Sequence, residues 1–318
     1  MDKVFSIIVT FNGEKWIRTA ISSLLMEGDS GVIVVDNGSS DSTVDIIKTE
    51  FPQIDLICLN KNLGFGCGNN IGIARAISLG ADYVFLLNQD AFVAPGALSA
   101  LSNYLLENLE YDVASPIHCS PDIHTLDKKT LRNYVVQYAP EYISDACLGS
   151  IKDSYSIRGI NAAAWMVRVS AFKKVGGFDP LFFMYGEDDD LVNRMNYHGC
   201  RFVLLPSAKI IHFRESSSVL RKSYFLDLKL RAERIKSNLL IELKQPGLGY
   251  LYMAKYIVAK SFFKPFSDFI LDLNVGGLFA HLIACFMLFV KIKVIRDHGR
   301  ICAFGGPVFL EHGLGIRS

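Results

Sequence analysis

Along the first ninety residues, short apolar runs alternate with segments of helical, amphipathic spacing. The apolar runs are rich in β-branched residues and end in polar ones, which is typical of buried strands. These runs are residues 4–10, 32–36, 54–60 and 83–90. Between the first two, residues 14–26 place apolar side chains on one face of a predicted helix. Strand and helix in alternation predict an α/β domain with a mostly parallel, doubly wound sheet.

Polar residues cluster where the predicted strands end. In a doubly wound sheet, ligands bind outside the carboxyl ends of the strands. The residues at those ends are Thr10, Asn12, Asp36, Asn60, Asn88 and Asp90. The pattern therefore predicts a ligand site at this edge of the sheet.

Asp36 and Asp90 have both structural and chemical interpretations. Asp36 precedes a predicted helix start, where it can accept hydrogen bonds from a nucleobase or ribose, or simply cap the helix. Asp90 offers the hard oxygen ligand that Mg²⁺ or Mn²⁺ takes beside a diphosphate, or it satisfies a turn. His212 follows a later apolar run and is a second candidate metal ligand, although a lone His at a strand end is usually structural.

The second half of the chain contains the sharpest feature, four consecutive acids at residues 187–190. Acids directly after the apolar FFMYG segment are costly near a core unless a cation or a proton transfer uses them. Asp190 and Arg194 are four residues apart on the predicted helix and can form an ordinary surface ion pair. That pairing leaves Glu187 and Asp188 for chemistry. Upstream, the pattern weakens between about 110 and 155, which predicts a flexible insertion.

Beyond residue 220 the chain is helical in pattern and strongly apolar. Residues 273–290 are 18 residues without Lys, Arg, Asp or Glu. As a helix they would be roughly 27 Å long, a little short of the ~30 Å hydrocarbon core of a bilayer. Four basic residues follow closely, at positions 291, 293, 296 and 300. We expect a membrane-associating tail; packing on the rest of the chain, or an oligomer interface, is the alternative.

The composition of the chain limits the classes of partner that it is expected to bind. The 33 Lys and Arg nearly balance the 32 Asp and Glu, so no global field favours nucleic acid, and we predict no nucleic-acid partner. The seven cysteines form no C-x-x-C pair, which indicates thiols in a reducing compartment. The N-terminal apolar run breaks at Thr10, too early for a secretory signal. These observations predict a chain that faces the cytosol.

Taken together, these motifs resemble glycosyltransferase family 2, in the branch of bacterial rhamnosyltransferases. The resemblance covers roughly residues 3–240. It implies a glycosyltransferase A-type, Rossmann-like fold with a catalytic domain over 1–220 and a helical region over 221–318. Within that domain it implies a nucleotide-binding half over about 1–110 and an acceptor half over 111–220. The implied donor contacts are Thr10, Asn12, Asp36, Asn62, Asn70, Asn88 and Asp90.

The same resemblance assigns the remaining roles. Asn88 and Asp90 match the ends of the family's D-x-D motif, with Asn88 replacing the first acid, and His212 matches its distal metal ligand. Asp188 matches the general base, and Glu187 and Asp190 lie on the acceptor side. The implied enzyme is inverting, uses Mg²⁺ or Mn²⁺, and transfers a sugar from a nucleotide-diphosphate donor to a lipid-linked or polysaccharide acceptor. Its expected location is the cytoplasmic face of the bacterial inner membrane.

Rhamnose from dTDP-rhamnose is the donor that the resemblance suggests first, with UDP-hexoses and UDP-N-acetylhexosamines as alternatives. Two other functions compete. A nucleotidyltransferase usually has a Gly-rich basic loop after its first strand, whereas this chain has TFNGEKW. A non-catalytic sensor or scaffold would not need Asp188 and His212.

Overall fold

The computed structural model of the protein describes residues 2–28, 31–213, 224–245, 248–249, 251–260 and 275–310. Within these ranges, nine strands form one mixed sheet in the order β3-β2-β1-β4-β8-β6-β9-β5, with β7 also paired to β9. The strands are β1 (Val4–Thr10), β2 (Gly31–Asp36), β3 (Asp55–Cys58), β4 (Tyr83–Asn88), β5 (Ala91–Val93), β6 (Val113–Cys119), β7 (Tyr155–Ile157), β8 (Ala164–Arg168) and β9 (Phe202–His212).

Helices cover both faces of the sheet and form the C-terminal region. A π-helical turn, Leu131–Val135, lies between α5 and α6, and residues 251–260 are also helical. The labelled helices are α1 (Ile17–Leu25), α2 (Thr43–Glu50), α3 (Phe65–Ser78), α4 (Ala97–Glu107), α5 (Lys128–Thr130), α6 (Val136–Tyr138), α7 (Pro140–Leu148), α8 (Val169–Val175), α9 (Glu187–Tyr197), α10 (Tyr224–Leu243), α11 (Val275–Val290) and α12 (Ile292–Phe304).

Strand directions bring the predicted site residues to one edge of the sheet. The β3, β2, β1 and β4 strands are parallel neighbours. The β8 strand is antiparallel to both β4 and β6, so β6 and its parallel partner β9 run in the direction of β4. The carboxyl ends of six strands therefore share one edge. The predicted, mostly parallel α/β sheet with flanking helices is confirmed.

The segment predicted to be a flexible insertion contains a central strand. All seven residues of β6 are buried, between β8 and β9. The register of β6 against β9 shifts between Pro116 and Ile117, so the missing proline N–H falls at an irregularity. Ser115, Pro116 and His118 interrupt the apolar run, which is why the sequence pattern concealed a core strand. Over residues 113–119 the prediction was wrong.

Glycines place α3 directly against β1. A side chain at Gly68 would put its Cβ 2.6 Å from Val9 Cγ1, and one at Gly72 would reach 2.5 Å from Ile7 Cγ2. Because only glycine permits this approach, the Asn- and Gly-rich segment after β3 forms a helix from Phe65 despite its low helix propensity. The start of α3 thereby comes close to the ends of β1 and β2.

The described part of the C-terminal region packs on the α/β domain. Leu239, Leu240 and Leu243 of α10 are buried with Phe182 of the segment before α9. The Gly177 N–H donates to the Val308 carbonyl at 2.9 Å, and Leu310 is buried in the main core. The domain boundary near residue 220 remains a prediction, and residues 308 and 310 contact the α/β domain directly.

No single helix in the described ranges is long and apolar enough to cross a bilayer. Helices α11 and α12 meet the length and composition criteria only as a pair, and they are bent by 67° at their junction. One face of α11 packs inward through Ala280, Ala284 and Leu288. Its other face exposes large apolar side chains, namely Phe279, Leu282, Ile283, Phe286, Phe289 and Val290.

Candidate active site

The end of β1 is tied to the loop after β4 by one glutamine. Thr10 is fully buried and its Oγ1 donates to Oε1 of Gln89 at 2.7 Å. The same oxygen accepts the backbone N–H of Phe11 at 2.9 Å. Thr10 and the Asn88–Asp90 segment, both predicted donor contacts, therefore lie side by side. Gln89 was not among the predicted site residues, because a glutamine between two candidate ligands has no distinctive pattern.

Asp36 and Asn12 organise the neighbouring loops. Asp36 is buried, and its Oδ2 accepts the N–H groups of Gly38 and Ser39 at 3.2 and 3.0 Å. Asn12, at φ +49°, donates its N–H to Ser39 Oγ and accepts from Ser40 N, each at 2.9 Å. Asp36 Oδ1 is buried without a hydrogen-bond partner among the described residues. Turn formation therefore uses one Asp36 oxygen and leaves the other for a ligand.

The two predicted asparagines after β3 have different surroundings. Asn62 Oδ1 accepts the N–H of Gly64 at 2.8 Å, in the turn that begins α3. Asn70 is buried, and its carboxamide both donates to and accepts from the backbone of Phe178, each at 2.7 Å. These contacts favour a positioning role for Asn70, joining α3 to the segment before α9. Its direct contact with donor remains a prediction.

Asp90 and His212 meet at the shared carboxyl edge. His212 is 3% exposed, and its Nε2 lies 3.4 Å from Asp90 Oδ1. The pairing of Ala91 with His212 in the β5–β9 ladder sets this approach. Two ligands of one hexacoordinate ion are typically about 3 Å apart, since each bond is about 2.1 Å. The pair therefore fits a divalent cation.

Asp90 and His212 do not by themselves supply a complete set of metal ligands. Within the described ranges, no three His, Cys, Asp or Glu side chains converge on one point. The chain thus offers one carboxylate and one imidazole, which leaves positions for diphosphate oxygens. Buried atoms without a hydrogen-bond partner among the described residues include Asn88 Oδ1 and His212 Nδ1. Such atoms cost about 1–3 kcal/mol each, which favours a polar ligand nearby.

Asp188 faces this edge from the first turn of α9. Its Oδ2 accepts from the backbone N of Ala162 at 3.4 Å, and its Oδ1 accepts the N–H of Asp189 at 3.0 Å. The next carbonyl along the chain, that of Ala163, accepts the N–H of Asn88 at 3.0 Å. One short backbone segment therefore separates the predicted base from the predicted metal-side residues.

Two carboxyl groups of the acidic cluster, those of Glu187 and Asp189, have raised pKa values. Burial, reinforced by the charge of Asp188, raises the pKa of Glu187 to about 8. Burial and the same charge raise the pKa of Asp189 to about 6, and Tyr134 donates to its Oδ1 at 3.3 Å. Asp188 is the charge common to both shifts. Asp188 therefore lies between two residues, Glu187 and Asp189, whose carboxyl groups hold protons more readily than ordinary acids do.

Asp190 points away from the other acids, into a buried ionic network. It accepts from Arg194 Nε at 2.9 Å and from Lys244 Nζ at 2.6 Å. The expected surface ion pair with Arg194 exists, but it is buried: both side chains are about 5% exposed or less. Because both Asp190 oxygens bind cations inside the protein, these contacts favour a structural role for Asp190, and its acceptor-side role remains a prediction.

Lys244 also ion-pairs with buried Asp179, and His298 Nδ1 lies 2.8 Å from Asp179 Oδ1. Burial alone would raise the pKa of Asp179, but the His298 hydrogen bond and the Lys244 charge hold it well below its usual range. The network joins Lys244, which follows α10, and His298 of α12 to Asp190 of α9 and to Asp179. The sequence could not reveal it, since its partners are up to 119 residues apart.

Comparison with protein families identifies the architecture. Residues 6–176 match the glycosyl transferase family 2 profile, and residues 148–216 match that of the N-terminal domain of galactosyltransferase. The N-acetylglucosaminyl-diphospho-decaprenol L-rhamnosyltransferase of Mycobacterium tuberculosis is 27% identical over 216 residues, which cover 62% of this chain and 70% of that protein. Rhamnosyltransferase WbbL of Escherichia coli K12 is 28% identical over 258 residues, 74% of this chain and 95% of WbbL.

Solved structures share the fold at low sequence identity. Staphylococcus aureus TarS 1–349 superposes with a TM-score of 0.55 at 15% identity, covering 95% of this chain and 90% of TarS. GalNAc-T7, solved with UDP, GalNAc and Mn²⁺, superposes with a TM-score of 0.59 at 12% identity, covering 98% of this chain and 56% of that one. These similarities support the glycosyltransferase A-type fold.

Proposed function

The chain belongs to glycosyltransferase family 2, and we propose that it is an inverting enzyme that transfers a sugar from a nucleotide-diphosphate donor to a hydroxyl of a lipid-linked or surface-polysaccharide acceptor. The observation that carries this proposal is the approach of Asp188 to the carboxyl edge. Asp188 and Asn88 bind the backbone of consecutive residues, Ala162 and Ala163. The sugar that is transferred would bind beside this segment, between the base and the leaving-group site.

The chemistry is a single displacement. The acceptor oxygen forms a bond to the anomeric carbon while the bond from that carbon to the donor diphosphate breaks, and Asp188 takes the hydroxyl proton. Glu187 and Asp189 retain protons more readily than ordinary acids, because burial and the charge of Asp188 raise the pKa of each. The Ala162 N–H orients the Asp188 carboxylate. The reaction requires no covalent nucleophile.

Asp90 and His212 would hold Mg²⁺ or Mn²⁺ beside the diphosphate, and Asn88 would add an amide oxygen on the same side. When bound, the cation supplies positive charge that stabilises the departing diphosphate. Thr10, Asn12 and Asp36 line the nucleoside end, where Asp36 Oδ1 offers an unused acceptor. Asn62 lies at the adjoining turn.

We propose rhamnose, from dTDP-rhamnose, as the donor sugar, on the strength of the curated relatives. A UDP-hexose or UDP-N-acetylhexosamine is the alternative, since TarS has been solved with UDP-GlcNAc. The mycobacterial relative acts on an N-acetylglucosaminyl-diphospho-decaprenol. By analogy, an N-acetylglucosaminyl-diphospho-polyprenol is the acceptor we propose first.

The proposed location is the cytoplasmic face of the bacterial inner membrane. The outward face of α11, with Phe286 69% and Phe289 53% exposed, is contiguous in sequence with Lys291 and Lys293. Apolar side chains beside basic ones suit an anionic bilayer surface. A second copy of the chain is the alternative occupant of this face.

A thermal-shift and turnover screen tests the proposal. The purified full chain is incubated with dTDP-rhamnose, UDP-glucose, UDP-galactose, UDP-N-acetylglucosamine or GDP-mannose, each with and without Mn²⁺. We expect metal-dependent stabilisation by dTDP-rhamnose and transfer to the lipid-linked acceptor with inversion at the anomeric carbon. Stabilisation by a UDP-sugar instead would select the alternative donor. Retention of configuration in the product would contradict the mechanism.

A further inference from the structure

Three exposed apolar residues stand immediately before the catalytic acids. Phe183, Met184 and Tyr185 are 50%, 45% and 53% exposed, whereas Phe182 before them is fully buried. We call residues 183–185 the strap. Three consecutive large apolar side chains at the surface are unusual beside a polar site and indicate a surface that meets an apolar ligand.

The strap is held in a defined conformation. Tyr185 has φ +69°, a left-handed conformation that is costly for a residue with an aromatic side chain. A Cβ at Gly64, the residue before α3, would lie 2.2 Å from the Phe183 carbonyl oxygen, so the strap backbone presses on that turn. A strained, exposed tyrosine three residues before Asp188 is more consistent with a binding role than with packing.

A cationic side chain lies against the strap. The guanidinium carbon of Arg234 lies 5.1 Å from the centre of the Tyr185 ring. Arg234 is itself exposed. Apolar and cationic side chains thus lie side by side next to the catalytic acids. This combination matches a ligand that joins an anionic phosphate group to a hydrocarbon chain.

We propose that the strap and Arg234 bind the diphosphate and the first isoprene units of a polyprenyl-diphosphate-linked acceptor. This inference rests on the proposed glycosyltransferase function and specifies how the acceptor is recognised. A single sugar ring separates the attacked hydroxyl from the diphosphate in such an acceptor. With the hydroxyl at Asp188, Arg234 faces the diphosphate, and Phe183 and Met184 contact the chain.

Binding is measured with three probes: farnesyl diphosphate, farnesol and inorganic diphosphate. The donor site is first filled with Mg²⁺ and the nucleotide diphosphate that stabilises the protein most, so that added diphosphate cannot bind there. We expect farnesyl diphosphate to bind at least about tenfold more tightly than either fragment, which corresponds to about 1.4 kcal/mol. Tyr185→Ala and Arg234→Gln should each remove most of that advantage, and Tyr185→Phe should retain it, because the ring face is preserved.

Arg201→Gln is the matched control. Arg201 is exposed and stacks on Tyr111 at the same 5.1 Å distance, but it immediately precedes β9 and therefore lies at the opposite edge of the sheet. It should bind all three probes like the wild type. The strap variants should also raise KM for the lipid-linked acceptor while slow donor hydrolysis and melting temperature stay unchanged.

Several results would overturn this proposal. They are equal binding of farnesol and farnesyl diphosphate, equal binding of inorganic and farnesyl diphosphate, no binding of any probe, and wild-type binding in the Tyr185 and Arg234 variants. Failure of the proposed function is seen separately, as absence of sugar transfer by the wild type. Farnesyl diphosphate binding that depends on Tyr185 and Arg234 would support the strap even then.

Discussion

The backbone nitrogen of Ala162 lies 3.4 Å from Oδ2 of Asp188. This contact links the first turn of α9 to the segment before β8, and the same segment binds the end of β4 through Ala163. The first turn of α9 and the end of β4, which leads into Asp90, are therefore both hydrogen-bonded to this segment. A displacement of the segment would move Asp188 and the end of β4.

Asp90→Ala and His212→Ala should each weaken donor binding in the presence of Mg²⁺ or Mn²⁺ by about tenfold or more, because each removes a proposed ligand. Calorimetric titration of the nucleotide diphosphate measures the effect. Asp55→Ala and His124→Ala are controls that should bind the nucleotide diphosphate normally. Asp55 begins β3, at the edge of the sheet away from the proposed site, and His124 lies on an exposed loop. Binding that is insensitive to EDTA and unchanged in both site variants would refute the metal assignment.

Lys244→Met should destabilise the protein by about 3–5 kcal/mol. The substitution removes the ammonium group that pairs with both Asp179 and Asp190 and leaves the two carboxylates buried. The melting temperature should fall by roughly 5–15 °C. Lys244→Arg, which keeps the charge, should restore part of that loss. Asp190→Asn should also lower the melting temperature.

The same network predicts an acid dependence. The folded-state pKa of Asp179 is depressed, so its stabilising contribution is present above the unfolded value of about 4 and is lost as the pH falls below it. The stability gap between wild type and Lys244→Met should therefore narrow in acid. A gap that stays constant down to pH 3 would mean that Lys244 acts through packing alone.

Glu187→Gln should stabilise the protein at alkaline pH and not at acid pH. The folded-state pKa of about 8 lies above the unfolded value, so the wild type loses stability as the pH rises from about 4.5 through 8. Glutamine cannot ionise and avoids that loss. Thermal melts at pH 5 and pH 9 measure it, with exposed Glu141→Gln as the control. Equal melting temperatures of wild type and variant at pH 9 would disprove the buried, protonated state.

Replacing both Phe286 and Phe289 by serine should reduce binding to anionic liposomes by about tenfold or more, since burial of each ring in lipid contributes about 1.5–3 kcal/mol. Leu148→Ser, at an equally exposed apolar site on α7, should have no effect. Point variants are preferable to truncation near residue 245, which would remove the packed residues 292–310. Liposome flotation that is unchanged, together with a dimer that the double variant dissociates, would identify the α11 face as a subunit interface.

Local patterns predicted the parallel half of the sheet well, because β1, β2 and β4 are mostly apolar runs that end in polar residues, and Ser6 alone interrupts β1. They failed at β6, where buried Ser115, Pro116 and His118 imitate a loop. The sequence placed Asp90 and His212 at strand ends, where the structure brings them within 3.4 Å of each other, and their roles and that of Asp188 remain predictions. The burial of Asp190 was not predicted, because its partner Lys244 is 54 residues away, a tertiary contact that no helical spacing reveals.

The turnover of Asp188→Asn tests the central claim most directly. The substitution preserves size and hydrogen bonding to Ala162 but removes basicity. Turnover should fall by roughly 10² to 10⁴ while donor affinity and melting temperature remain close to wild type. Asp190→Asn should lose stability instead. Near-normal turnover of Asp188→Asn, with Asp190→Asn folded but inactive, would contradict the account and assign the base to Asp190.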